Sequence, residues 1–111
     1  MTLAAGSLNS RIEIQHPVEE RGDYGDVIKT WQTHATVWAN IRNISGKEYT
    51  VRGLDLAAVN TSIRIRLRRS VNEQMRVLYR GQIYNIVAVL HDEARREHTD
   101  LVCQTGANDG R

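Results

Sequence analysis

The chain has 111 residues, with 15 Lys and Arg against 13 Asp and Glu, and its net charge of +2 is too small to imply polyanion binding by itself. That length fits one domain able to bury roughly 65% of its unfolded surface, and the single cysteine, Cys103 in Leu101-Val102-Cys103, excludes an internal disulfide and suits a buried thiol in a reducing compartment. No stretch approaches the roughly 20 apolar residues of a membrane helix, and no secretory or lipidation signal is present, so a soluble chain made in the cytoplasm is expected.

Arg11 to Gln15 alternates polar and apolar residues and reads as a short strand. Pro17 is expected to stop it, leaving Glu19 to Asp26 as an acidic, glycine-punctuated loop. Thr33 to Arg42 is the second strand. Ala35, Val37, Ala39 and Ile41 form one face, and His34, Thr36, Trp38 and Asn40 the other, with Trp31 just before it. Ser45-Gly46-Lys47-Glu48 has the form of a capping box. Val51, Leu54 and Ala57/Ala58 then recur at helical spacing, so a helix of about three turns is expected, weakened at Gly53 by about 1 kcal/mol. This insertion, residues 43–60, interrupts the β-pattern and is expected to be the part that a partner orders.

Thr61 to Arg69 is the most informative stretch. As a strand it points Ile63, Ile65 and Leu67 one way and Arg64, Arg66 and Arg68 the other, as a ladder of guanidinium groups. Such a row must meet water, carboxylates or phosphate, and so faces nucleic acid, a neighbouring subunit or, in an ordinary small β-domain, plain solvent. Between Thr61 and Arg80 six arginines face one acid, Glu73, while the acids concentrate at Glu19–Asp26 and Asp92–Asp100. Opposed patches in a near-neutral chain fit self-association at least as well as DNA binding. Next, Arg80-Gly81 reads as a two-residue hairpin loop that sets Tyr79 against Gln82, Val77 against Tyr84 and Met75 against Ile86. That register gathers Met75, Val77, Tyr84, Ile86, Ala88 and Leu90 on one side. Asp92 to Glu97 is a charged hairpin tip, Thr99 to Gln104 the last strand, and 105–111 a flexible tail. The sum is a mainly β fold: one domain over 1–111, a small six-stranded antiparallel β-barrel or sandwich with one inserted helix.

Motifs for catalysis are missing from the sequence: no nucleophile elbow, Walker loop, dinucleotide fingerprint, Cys-x-x-Cys or His-Glu-x-x-His occurs. His91 and His98 flank the last hairpin tip with Asp92 and Glu97 nearby, a set that zinc can use, although charged hairpin tips are ordinary. Ser62, Ser70 and Cys103 have no base partner recognisable in the sequence; His16 and His34 are the remaining histidines. Trp31 and Trp38 offer stacking surfaces, but without phenylalanine the aromatic platform is thin. Trp38 reads as core or subunit-interface packing.

The order of Ala5-Gly6-x-Leu8-x-x-Arg11-Ile12, Asp23-x-Gly25, Trp31, Val37-Trp38-Ala39, Glu48, Ile63-Arg64-Ile65-Arg66 and Arg76-Val77…Gly81…Tyr84-x-Ile86 resembles the head–tail joining (head-closure, or adaptor) proteins of long-tailed phages. Leu67 departs from it, standing where an aromatic residue is expected. The resemblance implies a non-enzymatic virion protein without cofactor or metal. It implies a β-barrel that docks beneath the portal or adaptor ring as a homo-oligomeric ring, commonly twelve-fold. Packaged DNA passes through the channel, and the outer surface meets the tail-completion protein. On that reading Arg64, Arg66, Arg68, Glu48, Lys47, Arg52 and Trp38 make subunit or channel contacts. Asp23, Tyr24, Asp26, Arg95 and Arg96 lie on loops facing tail or portal. The rival reading is a small nucleic-acid-binding β-barrel with Arg64, Arg66, Arg68 and Trp38 as its binding face.

Overall fold

Alternating side chains need a closed surface to hide their apolar half, and in the computed structural model six strands provide one. The structure describes residues 8–44, 50–51, 54–55 and 59–105. The strands are β1 (Ser10–Arg21), β2 (Val27–Asn43), β3 (Thr50–Val51), β4 (Leu54–Asp55), β5 (Thr61–Arg66), β6 (Arg76–Tyr79), β7 (Gln82–His91) and β8 (His98–Gln104). Six of them pair antiparallel in the order β1-β2-β5-β8-β7-β6, with β6 returning to β1 to close the barrel, while β3 and β4 form a separate two-stranded sheet. Ile12, Ile14, Ala39, Ile63, Ile65, Val77, Leu101 and Cys103 fill it, all essentially without solvent contact. Val71 and Met75, from the β5–β6 connection, join this core.

The expected inward and outward faces of β2 are the observed ones: Ala39 is buried and Trp38 is half exposed. The Arg80-Gly81 hairpin also has the expected register, Tyr79 opposite Gln82 and Val77 opposite Tyr84. Both loop residues have positive φ, 52° and 79°, as a tight turn of the type I′ class requires.

Four expectations are corrected. Pro17 does not end its strand: β1 runs on to Arg21, paired with β2 down to Val27. Beyond Gln15 that strand has lost β6 as a neighbour, so Pro17 sits in an edge strand, where a proline is tolerated. The side shared by Ala88 and Leu90 with Ile86 is broken by a bulge. Ile86 opposes Cys103 and Ala88 opposes Val102, so Val87 is an extra residue that reverses the alternation. Val89 therefore enters the barrel core, while Ala88 and Val102 form a second cluster with Val59 on the opposite face. The inserted helix is not found at the described positions: Thr50–Val51 and Leu54–Asp55 pair as antiparallel strands. β-branched Thr50 and Val51 favour extended backbone, and helical spacing over so few residues does not outweigh that preference. The capping box lies outside the described residues. Finally, the arginine strand ends at Arg66, two residues before Arg68.

The two flanks of the insertion are pinned together. The Ile44 amide donates to the Asn60 carbonyl, and the Asn60 amide donates to the Cys103 carbonyl. The Asn60 side-chain amide reaches the Thr105 hydroxyl at 2.9 Å. Ile44 and Asn60 thus lie side by side at the edge of the barrel.

Candidate functional site

The outer surface carries the site candidates, and the pairing of strands decides what each side chain meets there. Arg64 stands directly opposite Asp100 on β8. Its Nε and Nη2 donate to the two carboxylate oxygens at 2.8 and 3.0 Å, a bidentate pair that neutralises this rung of the ladder. Arg66 faces His98 and is exposed. Arg68 is past the strand end, held by its amide on the Thr99 hydroxyl. The uniform arginine row is therefore corrected to one paired and two exposed guanidinium groups. No spacing within Thr61–Arg69 reveals this, because Asp100 is 36 residues away in sequence.

Arg66 and Arg68 instead converge on Trp38. Together with Leu8, Val37 and Leu67 they line an open cleft of about 270 Å³. Arg11, paired with Trp38 across the ladder, holds its guanidinium 5.5 Å from the indole centroid. Trp38, half exposed, is surface and not core. Three of the residues chosen from sequence thus gather in one place. Lys47, Glu48 and Arg52 lie outside the described residues.

A second candidate is an arm. Past Gln15 and Thr33, β1 and β2 continue as a two-stranded ribbon away from the barrel, giving the molecule extents of 54 × 29 × 26 Å. Its tip, Gly22–Asp26, is closed by the Gly22 amide on the Asp26 carbonyl (2.6 Å) and by the Gly25 amide on the Gly22 carbonyl (3.1 Å). Gly25 has φ of +85°, a conformation that a side chain disfavours. Asp23 and Asp26 flank Tyr24, which is 97% exposed; Val27 and Ile28 follow, exposed too. An acidic loop was legible in the sequence; its place at the end of a ribbon was not.

At the arm's base Trp31 has two cations over its ring, with Arg76 at 4.1 Å and Lys29 at 5.0 Å from its centroid. Arg76 Nε also donates to Gln15 Oε1 at 2.7 Å. Beside Trp31 an open cleft of about 670 Å³ runs between Pro17, Glu19 and Lys29 on the arm and Glu73–Met75 on the barrel. Glu13 accepts from Thr33 and Gln15, which holds its carboxyl below the ordinary value of 4.5. Arg95 and Arg96 occupy a different turn, between β7 and β8. There Asp92 accepts from the amides of Arg95 and Glu97, and its carboxyl is held below 3.8, first by the Arg95 amide.

One expectation about chemistry is corrected. Ser70 has a histidine partner: its hydroxyl lies 2.8 Å from His34 Nε2. His34 in turn packs edge-on against His16 at 5.8 Å, and among the described residues no carboxylate orients it, so the contact ties the β5–β6 connection to the arm's base. His91 Nδ1 is 3.0 Å from the Thr99 hydroxyl, and His98 lies between Asp92 and Asp100 at 3.5 and 3.8 Å. Among the described residues no group of three or more His, Cys, Asp or Glu side chains is placed to hold a metal ion. Cys103 is buried, and desolvation pushes its thiol far above the ordinary value, so it is inert.

Residues 3–106 match the model of the phage head completion protein family. Head completion protein gp7 of Enterobacteria phage HK97 is 26% identical over 107 residues, covering 92% of this chain and 96% of that one. Among solved structures, protein SF1141 from Shigella flexneri 2a superimposes with a TM-score of 0.76 at 30% identity, over 96% of this chain and 99% of that one. A chain in the virion of a native gene transfer agent particle shares the fold, with a TM-score of 0.63 at 19% identity over 86% of this chain and 92% of the other.

Proposed function

The chain belongs to the phage head completion protein family, a structural component of the phage head, and from that premise we propose how it works. It docks beneath the portal or adaptor ring, closes the DNA-filled head and presents the surface to which the tail attaches. Copies stand side by side as a ring, twelve-fold on the pattern of the resemblance, around the channel through which DNA passes. The chain is made in the bacterial cytoplasm and ends in the virion. It forms one domain over its whole length.

The observation that carries this reading is the arm. A monomer gains nothing by holding Tyr24, Val27 and Ile28 in water on a two-stranded ribbon that adds little to the barrel core. Such a ribbon is stabilised when another surface covers its tip. Asp23, Tyr24 and Asp26 are then contact residues of the arm. Trp38, Arg66 and Arg68 belong to a second contact surface, and Arg95 and Arg96 to a third loop facing a partner. Arg64 acts within the subunit through Asp100. The experiment is deletion and complementation in the phage that encodes the chain. Deletion should leave DNA-filled heads and free tails, joined again when the purified protein is added. Normal tailed particles in its absence would end the proposal.

A second reading has one observation in its favour: Trp38 is an exposed indole rimmed by Arg11, Arg66 and Arg68, a combination that single-stranded nucleic acid can use. It requires affinity in the isolated chain that falls steeply with salt. Filter binding across a salt series separates it from the assembly role.

A further inference from the structure

The large apolar side chains that the described residues leave exposed are four, and they lie at two ends of one ribbon. Tyr24, Val27 and Ile28 form the tip of the β1–β2 arm. Trp38 stands by the cleft at the other end of the same ladder, opposite Arg11. Arg11 and Arg21, which pair with Trp38 and Val27, are ten residues apart in β1, or about 33 Å along the strand. A copy cannot bring its own tip to its own cleft.

We propose that the tip of one copy seats Tyr24 in the Trp38–Leu67 cleft of a second copy, with the contact repeated head to tail. This rests on the ring reading above and names the contact by which neighbours would hold each other. Size agrees: a cavity of about 150 Å³ suffices for a benzene-sized ring, and the cleft offers about 270 Å³. The lining agrees, with Leu8, Val37, Trp38 and Leu67 as apolar walls. Charge agrees as well. The tip carries Asp23 and Asp26, with Glu20 just behind them, while Arg21 beside them is turned back onto the Gly25 carbonyl. Among the described residues Arg66 and Arg68 line the cleft and no acid does, and Arg11 stands over the indole. Because the tip loop is closed by its own backbone hydrogen bonds, docking costs little ordering. Two different surfaces meeting head to tail generate a ring when the rotation closes.

Cysteine trapping tests this with the full chain, since Cys103 is buried and does not compete. Tyr24→Cys and Leu67→Cys variants, one carrying a mass tag, are mixed at high concentration under mild oxidation. The Tyr24→Cys with Leu67→Cys product should exceed either homodimer about tenfold, the ratio of a preference of about 1.4 kcal/mol. High salt should suppress it, as should Arg66→Glu with Arg68→Glu in the Leu67→Cys partner. Unaltered thermal melts show that the variants fold. Homodimers in equal amount, or no cross-link at millimolar protein, overturn the contact. If complementation succeeds while trapping fails, the head role stands and the tip docks on a different virion protein, which a photo-crosslinker at position 24 in particles would identify.

Discussion

Ile65 and Arg66 are chain neighbours with opposite surroundings. The isoleucine has 1% of its surface exposed inside the barrel, and the arginine stands in solvent. Ile65→Ala should cost about 2–5 kcal/mol through lost burial and the cavity left behind. Arg66→Gln should change stability by no more than about 0.5 kcal/mol. Denaturant melts giving the reverse order would mean that the faces of β5 are misassigned. Arg64 is a different case from Arg66, although both face outward. It is partly exposed, so solvent screens its pair with Asp100, but the two-pronged geometry is favourable. A double-mutant cycle with Arg64→Gln and Asp100→Asn should return a coupling of about 1 kcal/mol, against none between Arg66 and Asp100. The alternation of Thr61–Arg66 was legible in sequence. The inequality of its arginines was not, since it depends on which strand lies alongside.

The arm and the β7–β8 turn are stabilised by different means. Beyond Gln15 the ribbon is paired on one side only, so its amides from His16 to Arg21 should exchange faster than those of Ile83–Leu90 in the barrel. Gly25→Ala forces a side chain into a positive-φ position at a cost of about 1 kcal/mol. It should loosen the arm tip while leaving the global melt almost unmoved. A large drop in global stability would show that the arm folds as one unit with the barrel. The β7–β8 turn depends on pH. Asp92 is held below its ordinary value of 3.8 mainly by the Arg95 amide, so its ionised form stabilises the fold. That contribution is present above 3.8 and is lost as pH falls through the lower folded value. The loss caused by Asp92→Asn, read from denaturant midpoints, should therefore be largest near neutrality and shrink in acid. Glu13, lowered by Thr33 and Gln15, adds to acid sensitivity in the same sense.

For the whole molecule the balance of surfaces points to weak association in isolation. Among the described residues the exposed large apolar side chains are few and are split between the arm tip and Trp38. Stable subunit interfaces bury on the order of 1,200–2,000 Å², more than one hairpin tip supplies. Light scattering over a concentration series at moderate salt should give the monomer mass at micromolar protein; a large ring persisting there would show much stronger contacts. Assembly would then rely on a platform that raises the local concentration of neighbours. The mainly β class, most strand positions, the Arg80-Gly81 register and the family resemblance were legible in the residues alone. Those follow from side-chain alternation, turn chemistry and residue order, all of which act over a few positions. Tertiary structure decided the rest. Bulges at His34 and Val87 exchange inward for outward residues, the edge position of Pro17 lets the arm continue, and Asp100 takes Arg64 out of the ladder. Trp38, Leu67 and Leu8 become one cleft only when their strands are adjacent. Each of these depends on which strands lie side by side, and closure of the barrel sets that between residues tens of positions apart.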